Sequence, residues 1–277
     1  MNRPVISLLT DFGSADHYVA AMKGVILGIC PDAQIVDISH EITPYAIPEA
    51  AYTLAQAWRC FPNGTVHVIV VDPGVGSARR PIFAEVGGQR FVAPDNGVLE
   101  MVLDAEPKYR VREITAQVWF RQPVSQTFHG RDIFAPVAAH LASGVAVSRF
   151  GPLIKDCVRL GFSRPNKTKP NVWNGTVLKV DRFGNIITNF DSVIFRNLLE
   201  NKSFRIRVGS GLVSRIFESY AAAPDDRPFA IHGSAGYVEI SARQRSAAAF
   251  LGVFPGNDTQ LRVQASETHQ VLVLEVP

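Results

Sequence analysis

The sequence predicts an α/β protein in two parts. One is an N-terminal, mostly parallel sheet flanked by helices; the other is a smaller C-terminal antiparallel β-sheet or barrel domain. Three observations predict this. Strand-like and helix-like segments alternate through the first half. A polar, proline-bearing stretch near residue 163 breaks that rhythm. Beyond it come only short alternating strands with glycine turns.

Val5–Leu9 (VISLL) is a β-branched apolar run of strand length that ends in TDFG. Asp16–Cys30 spaces Val19, Met22, Lys23 and Ile26 on one helical face, and Pro31 stops the helix. Ala33–Ser39 reads as a strand. Ile47–Phe61 reads as a helix with Pro48 near its start, and Thr65–Asp72 as a strand. A β-α-β-α-β order calls for parallel pairing with helices covering the sheet. Arg90–Asn96 is a further strand, Gly97–Asp104 a short helix, and Arg131–Gly144 a longer helix that ends on glycine.

Gly161–Asn171 (GFSRPNKTKPN) has two prolines and no apolar periodicity. It divides the chain into an N-terminal domain of residues 1–162, a linker 163–171, and a C-terminal domain of residues 172–277. In the last part Gly175–Phe190, Ser203–Gly211, Phe229–Ala242, Thr259–Ala265 and Gln270–Val276 read as strands.

The chain has 277 residues, 47% of them hydrophobic and 19% charged, enough apolar content for a sizeable core. A net charge of +3 gives no reason to expect a nucleic-acid partner. Cys30, Cys60 and Cys157 are odd in number and far apart, which argues against a disulfide framework and a thiolate zinc site. The apolar run before Asp11 is too short for a signal peptide, and no stretch is long enough to span a bilayer. A soluble cytoplasmic protein with no membrane partner is expected.

In a parallel sheet, ligands bind at the carboxyl ends of the strands. Asp11 follows the first strand. Asp72 follows Thr65–Val71. Pro94, Asp95 and Asn96 end another strand, and His129 and Arg131 precede a helix. Each has a plainer reading: Asp-Pro-Gly makes a turn, Asp-Phe-Gly can cap a helix, and His129 can satisfy a buried backbone group. GVGSARR lacks the P-loop lysine and the third glycine of a dinucleotide fingerprint. Asp11, His17, Asp37 and His40 contain no ligand pair of recognised spacing, so no metal is expected. In the second half, VDRFGNIITN places Asp181 and Asn185 about the aromatic Phe183. HGSAGYVEIS offers small residues and backbone N–H groups suited to a carboxylate.

TDFG, YVAAMKG, IVDISHEITPY, VVDPGVGSARR, VAPDNGVL, TFHGRDIFAP, VDRFGNIITN and GSAGYVEIS occur in this order across nearly the whole chain. The chain resembles the S-adenosyl-L-methionine (SAM) hydrolases that form adenosine, also called SAM hydroxide adenosyltransferases, relatives of the fluorinase and chlorinase. The resemblance implies a homotrimer. Its active sites would lie between the N-terminal domain of one subunit and the C-terminal domain of its neighbour. It implies SAM as substrate and no cofactor.

It also implies a catalytic set of Asp72, Arg79 and His129, with Arg79 and His129 holding a water and Asp72 orienting them. The halogenating relatives carry other residues there, so the resemblance points to water as nucleophile. The substrate's sulfonium leaves as a neutral thioether, so an oriented nucleophile is the main requirement. Asp11 matches an acid on the ribose diol and Tyr45 an aromatic packed on the ribose. Asp181 matches a carboxylate that meets the methionine ammonium. Asn185 matches an adenine partner, with Phe183 near the same ring, and Ser234 a serine at the methionine carboxylate. Ala247 falls where backbone groups hold adenine, in a segment, Arg243–Ala249 (RQRSAAA), that departs from the shorter family pattern GNAA. Asp16, His17 and Tyr220 lie near these motifs and read equally well as structural. Which group takes the proton stays open. So do a halide-using enzyme of the same fold and a non-catalytic SAM- or adenosine-binding module.

Overall fold

Val5–Thr10 forms β1, and all but its first residue are buried. A computed structural model describes residues 3–201, 203–209, 211–254 and 260–266. The chain divides into two compact units, Met1–Leu160 and Gly161–Pro277.

In the first unit β1 is followed by α1 (Tyr18–Ile29), β2 (Gln34–Ser39), α2 (Ile47–Ala57) and β3 (Val66–Val70). Then come β4 (Pro81–Val86), β5 (Gln89–Pro94), α3 (Glu100–Asp104), β6 (Tyr109–Glu113), α4 (Ala135–Ala142) and β7 (Leu153–Ile154). The sheet order is β2-β1-β3-β5-β4-β6-β7. β2, β1, β3 and β5 pair in parallel, as the alternating pattern requires. β4, β6 and β7 add an antiparallel edge. Sequence reading passed over β4 and β6. Gly87 and Gly88 close a tight hairpin between β4 and β5, so this connection needs no crossover helix.

Side-chain alternation sends each strand's apolar residues to two cores. Ile6, Leu8, Val66, Val68 and Val92 pack with Met22 and Ile26 of α1 and Val137 and Leu141 of α4. Leu9, Ile69, Phe91 and Ala93 pack with Leu54 of α2 and Val102 of α3. Helices on both faces account for the nearly continuous apolar runs of β1 and β3. Phe134, fully buried in the first core, would cost about 3–5 kcal/mol if truncated to alanine.

The second unit contains β8 (Asn166–Lys169), β9 (Val172–Val180), β10 (Ile186–Asp191), α5 (Ser192–Asn201), β11 (Ser203–Val208) and β12 (Gly211–Val213). β13 (Phe229–His232), β14 (Tyr237–Ser241), α6 (Ala247–Leu251) and β15 (Gln260–Ser266) complete it. Its strands are ordered β12-β11-β15-β9-β10-β14-β13, with β8 beside β9, and these pairings are antiparallel. β8 falls inside the stretch read as a linker. Its four residues are all exposed, which is why they show no apolar pattern. α5 was also unforeseen; Val193 and Ile194 in its first turn are both more than 70% exposed. The strand expected over residues 270–276 lies outside the described residues. Among the described residues no helix is long and apolar enough to cross a membrane.

Candidate active site

The parallel register of β1 and β3 pairs Thr10 with Val70. The two strands therefore end side by side, and Asp11 and Asp72 leave the sheet at the same carboxyl edge. Asn96 Nδ2 donates to the Val71 carbonyl at 2.9 Å and holds that exit.

The next seven residues fold back on themselves. The N–H of Val75 bonds the Asp72 carbonyl, and the N–H of Ser77 bonds that of Gly74. Ser77 Oγ donates to the Gly74 carbonyl and accepts from the Arg79 N–H. Gly76 has φ +77°, and a Cβ there would lie 2.4 Å from the Gln126 carbonyl oxygen. Only glycine permits this approach of the loop to the segment that leads to His129.

The compact loop brings Arg79 back onto Asp72. Its Nε lies 2.9 Å from each carboxylate oxygen, and Nη2 also donates to Oδ2. Nη2 reaches Nδ1 of His129 at 2.7 Å as well. The Arg79 and Asp72 side chains are 9% and 5% exposed, and the guanidinium lies 5.1 Å from the Phe134 ring centre. A guanidinium only donates, so Nδ1 must be the acceptor. His129 is then a neutral imidazole with its proton on Nε2. Burial, and next the Arg79 charge, hold its proton affinity below the ordinary histidine value.

A cavity of about 310 Å³ opens at this edge. Asp11, Tyr45, Asp72 and His129 line it, whereas Arg79 is not among the lining residues. The resemblance implied Arg79 and His129 holding the water and Asp72 orienting them. In the structure Arg79 takes the bridging place and Asp72 faces the cavity.

Asp11 Oδ2 accepts the Tyr45 N–H at 2.9 Å. Burial raises the proton affinity of Asp11, with Asp72 adding to the rise and the Tyr45 bond opposing it. Tyr45 is 71% exposed and sits at φ +68°, a left-handed conformation that an aromatic residue adopts only under constraint. An aromatic wall completes the cavity and was not foreseen. Phe12, Tyr18 and Phe128 line it, with ring centres 5.1–5.9 Å apart. The Phe in TDFG and in TFHGRD was its visible signal.

The remaining candidates of this unit do not line the cavity. Asp95 takes two bonds from Arg80 and one from the Val158 N–H, which pins the end of the sheet. Asp37 is held by Lys23 and His40, and His40 Nδ1 by Thr10. Asp16 and His17 are exposed at the start of α1. Among the described residues no group of three or more His, Cys, Asp and Glu is placed to hold a metal ion.

The second unit carries its own cluster. Asp181 Oδ1 accepts from the N–H groups of Phe183 and Asn185, and Oδ2 from Asn185 Nδ2. This turn leaves Phe183 79% exposed and Asn185 7% exposed. Gly184, at φ +83°, lies against Ser246, where a Cβ would come within 2.1 Å of Oγ. Its carbonyl accepts the Ala248 N–H. Ser246 Oγ caps α6 by accepting from the Ala249 N–H. Ala247 is fully buried in the core of this unit, so only its backbone is of use to a ligand. Ser234 is exposed on the turn between β13 and β14. Next to that turn, buried Glu239 accepts from Tyr220 Oη at 3.2 Å. Burial raises the proton affinity of Glu239, and Asp181 adds to the rise.

The two halves of the chain also match known proteins. Residues 6–151 match the SAM hydroxide adenosyltransferase N-terminal domain, and residues 175–260 match the C-terminal domain. The chain is 37% identical over 267 residues to an (R)-S-adenosyl-L-methionine hydrolase of Salinispora arenicola, covering 95% of this chain and 98% of that one. It is 34% identical to one of Thermus thermophilus, covering 94% and 99%. The crystal structure of a conserved protein from Thermotoga maritima aligns with a TM-score of 0.81 at 36% identity, over 94% of this chain and 99% of that one. With both halves matched and such relatives covered almost end to end, this chain belongs to the SAM hydroxide adenosyltransferase family.

Proposed function

We propose that the protein hydrolyses S-adenosyl-L-methionine to adenosine and L-methionine. The observation that carries this reading is the bonded series Asp72–Arg79–His129, whose two outer members line one cavity. Asp11 and Asp72 both face that cavity, a setting that disfavours a halide anion and suits a water molecule.

Water attacks C5′ in line with the sulfur. The C5′–O bond forms as the C5′–S bond breaks, and the bonding pair leaves on sulfur as a neutral thioether. Because His129 accepts at Nδ1, its Nε2–H donates to the water oxygen and orients it. Attack by neutral water yields a protonated alcohol, a strong acid. Asp72 takes that proton, and Arg79 positions both partners. Fixing the nucleophile in line supplies several kcal/mol of the barrier, and no cofactor is needed for the balance.

Asp11 takes the ribose diol with Tyr45 packed on the sugar. Asp181 meets the methionine ammonium, Asn185, Phe183 and the Ala247 backbone meet adenine, and Ser234 meets the methionine carboxylate. We infer a domain division at residues 1–162, 163–171 and 172–277, supported by the two compact units. Each unit carries its own ligand-type cluster. From the family resemblance we infer a homotrimer whose sites join the N-terminal domain of one subunit to the C-terminal domain of its neighbour. We place the enzyme in the cytoplasm.

The test is incubation of purified protein with SAM, with and without chloride, followed by chromatography. Equal amounts of adenosine and methionine, independent of chloride and absent in His129→Ala, are expected. A 5′-halogenated adenosine would replace water as nucleophile. Saturable SAM binding without product would leave a binding module.

A further inference from the structure

The loop that presents His129 hangs on a carboxylate outside the cavity. Asp132 is fully buried. Arg131 bonds both its oxygens, at 2.7 and 2.8 Å, and Arg121 Nη1 lies 3.3 Å from Oδ1. Oδ2 also accepts the Ser125 N–H at 2.9 Å. The backbone repeats the tie: the Asp132 carbonyl accepts the Arg121 N–H, and the Asp132 N–H donates to the Phe128 carbonyl. One side chain therefore fastens residues 121, 125 and 131, which bracket Thr127, Phe128 and His129 on the cavity wall.

We propose that Asp132 is a positioning residue for the reaction: its buried charge fixes the 121–131 loop and, with it, the alignment of His129 on Arg79. This rests on the hydrolase reading given above. A buried ion pair adds little net stability against an apolar replacement, so fold stability alone is a weak reason for three charges at this spot. Holding a cavity residue in register is a stronger one, because a misplacement of about 1 Å can cost about 10²-fold in rate.

The electrostatics give the role a separate readout. The charges acting on His129 are Arg79 and Asp72 from the β3 exit and Asp132 from its own helix start, and Asp11 and Tyr18 line the same cavity. Asp132 favours the imidazolium and so raises the proton affinity of His129. Its neutralisation leaves two guanidinium groups uncompensated.

Asp132→Asn keeps the shape and removes the charge. The expected result is a fall of about 10–100-fold in kcat/KM, unchanged adenosine affinity, and a titration of His129 that moves to lower pH. That titration is followed by NMR on histidine-labelled full-length protein, so it needs no turnover. Asp132→Glu should return the titration toward its original place. Arg121→Gln, at a half-exposed position, should fold even if Asp132→Asn does not. It loosens the loop without removing a charge that acts on His129, so kcat/KM should fall while the His129 titration stays in place. An unmoved titration in Asp132→Asn, or a rate loss in either variant that only tracks lost melting temperature, would overturn the role. Absence of SAM cleavage by the unaltered protein would overturn the hydrolase reading and leave the NMR result to judge Asp132.

Discussion

Arg79 Nη2 stands 2.7 Å from Nδ1 of His129 while the same nitrogen bonds Asp72. One planar cation thus sets the tautomer of an imidazole and the direction of a carboxylate. A lysine ammonium is a point charge on a flexible stem and cannot span both. Arg79→Lys should lower kcat/KM by about 10²–10³-fold and change adenosine affinity by no more than about twofold. Steady-state kinetics beside calorimetry with adenosine will show the split. A loss confined to KM would mean that Arg79 serves binding.

The same contact fixes a pH dependence. His129 must be neutral to accept from Arg79, and burial and Arg79 lower its proton affinity. Activity should therefore be lost as pH falls, with the acid limb of kcat/KM below the ordinary histidine value of about 6.5. A limb above that value would contradict the Nδ1-acceptor arrangement.

The parts of the site that were legible in the sequence are those that local chemistry dictates. Asp11 and Asp72 stand where apolar runs stop, and a parallel sheet sends such positions to one edge. The bridging place of Arg79 was not legible. It depends on how tightly Gly74–Ser77 coils, and spacing alone does not tell a residue facing the cavity from one behind it. Asp132 was hidden for a related reason: nothing in HGRD marks it as buried, and only the enclosing loop buries it. In the fold, β1, β3 and α1 declared themselves by periodicity. β8, exposed on every residue, offered no periodicity to read.

His67 makes a stability prediction outside the site. It is fully buried, bonded to Ser7 Oγ at 2.6 Å and to Gln89, and burial lowers its pKa to about 4. The unfolded chain binds this proton near pH 6.5 and the folded chain does not. The stabilisation is therefore full above about 6.5 and declines as pH falls toward 4, by about 3 kcal/mol in all. His129, His140 and His232 shift in the same direction, whereas Asp11 and Glu239 shift oppositely. The readout is thus a difference: urea unfolding of His67→Gln should show a shallower decline than the parent between pH 6.5 and 4.

Gly184 tests the second unit. A methyl group there meets Ser246 Oγ at 2.1 Å and its Cα at 2.7 Å, at φ +83°. Gly184→Ala should destabilise the protein by about 2–4 kcal/mol and disturb the Asp181–Asn185 turn. Adding Ser246→Gly should recover only part, because the backbone contact remains. Thermal unfolding of both variants decides it. Full recovery would place the conflict in the serine side chain alone.

Tyr45 sets stability against binding. Its left-handed backbone costs about 1–2 kcal/mol relative to glycine, yet its side chain is 71% exposed and returns little by burial in the free protein. Such strain persists where the surroundings impose it, and here the Tyr45 N–H is held by Asp11. Tyr45→Gly keeps that N–H and relieves the strain. It also loosens the unfolded chain, which offsets part of the gain. The melting temperature should therefore hold or rise by a few degrees, while KM for SAM increases about tenfold and kcat changes less. Tyr45→Ala keeps the strain and loses the ring, so it should share the higher KM without the gain in melting temperature. If Tyr45→Gly instead melts lower and binds as before, the ring is part of the free fold and the ribose role belongs to another residue.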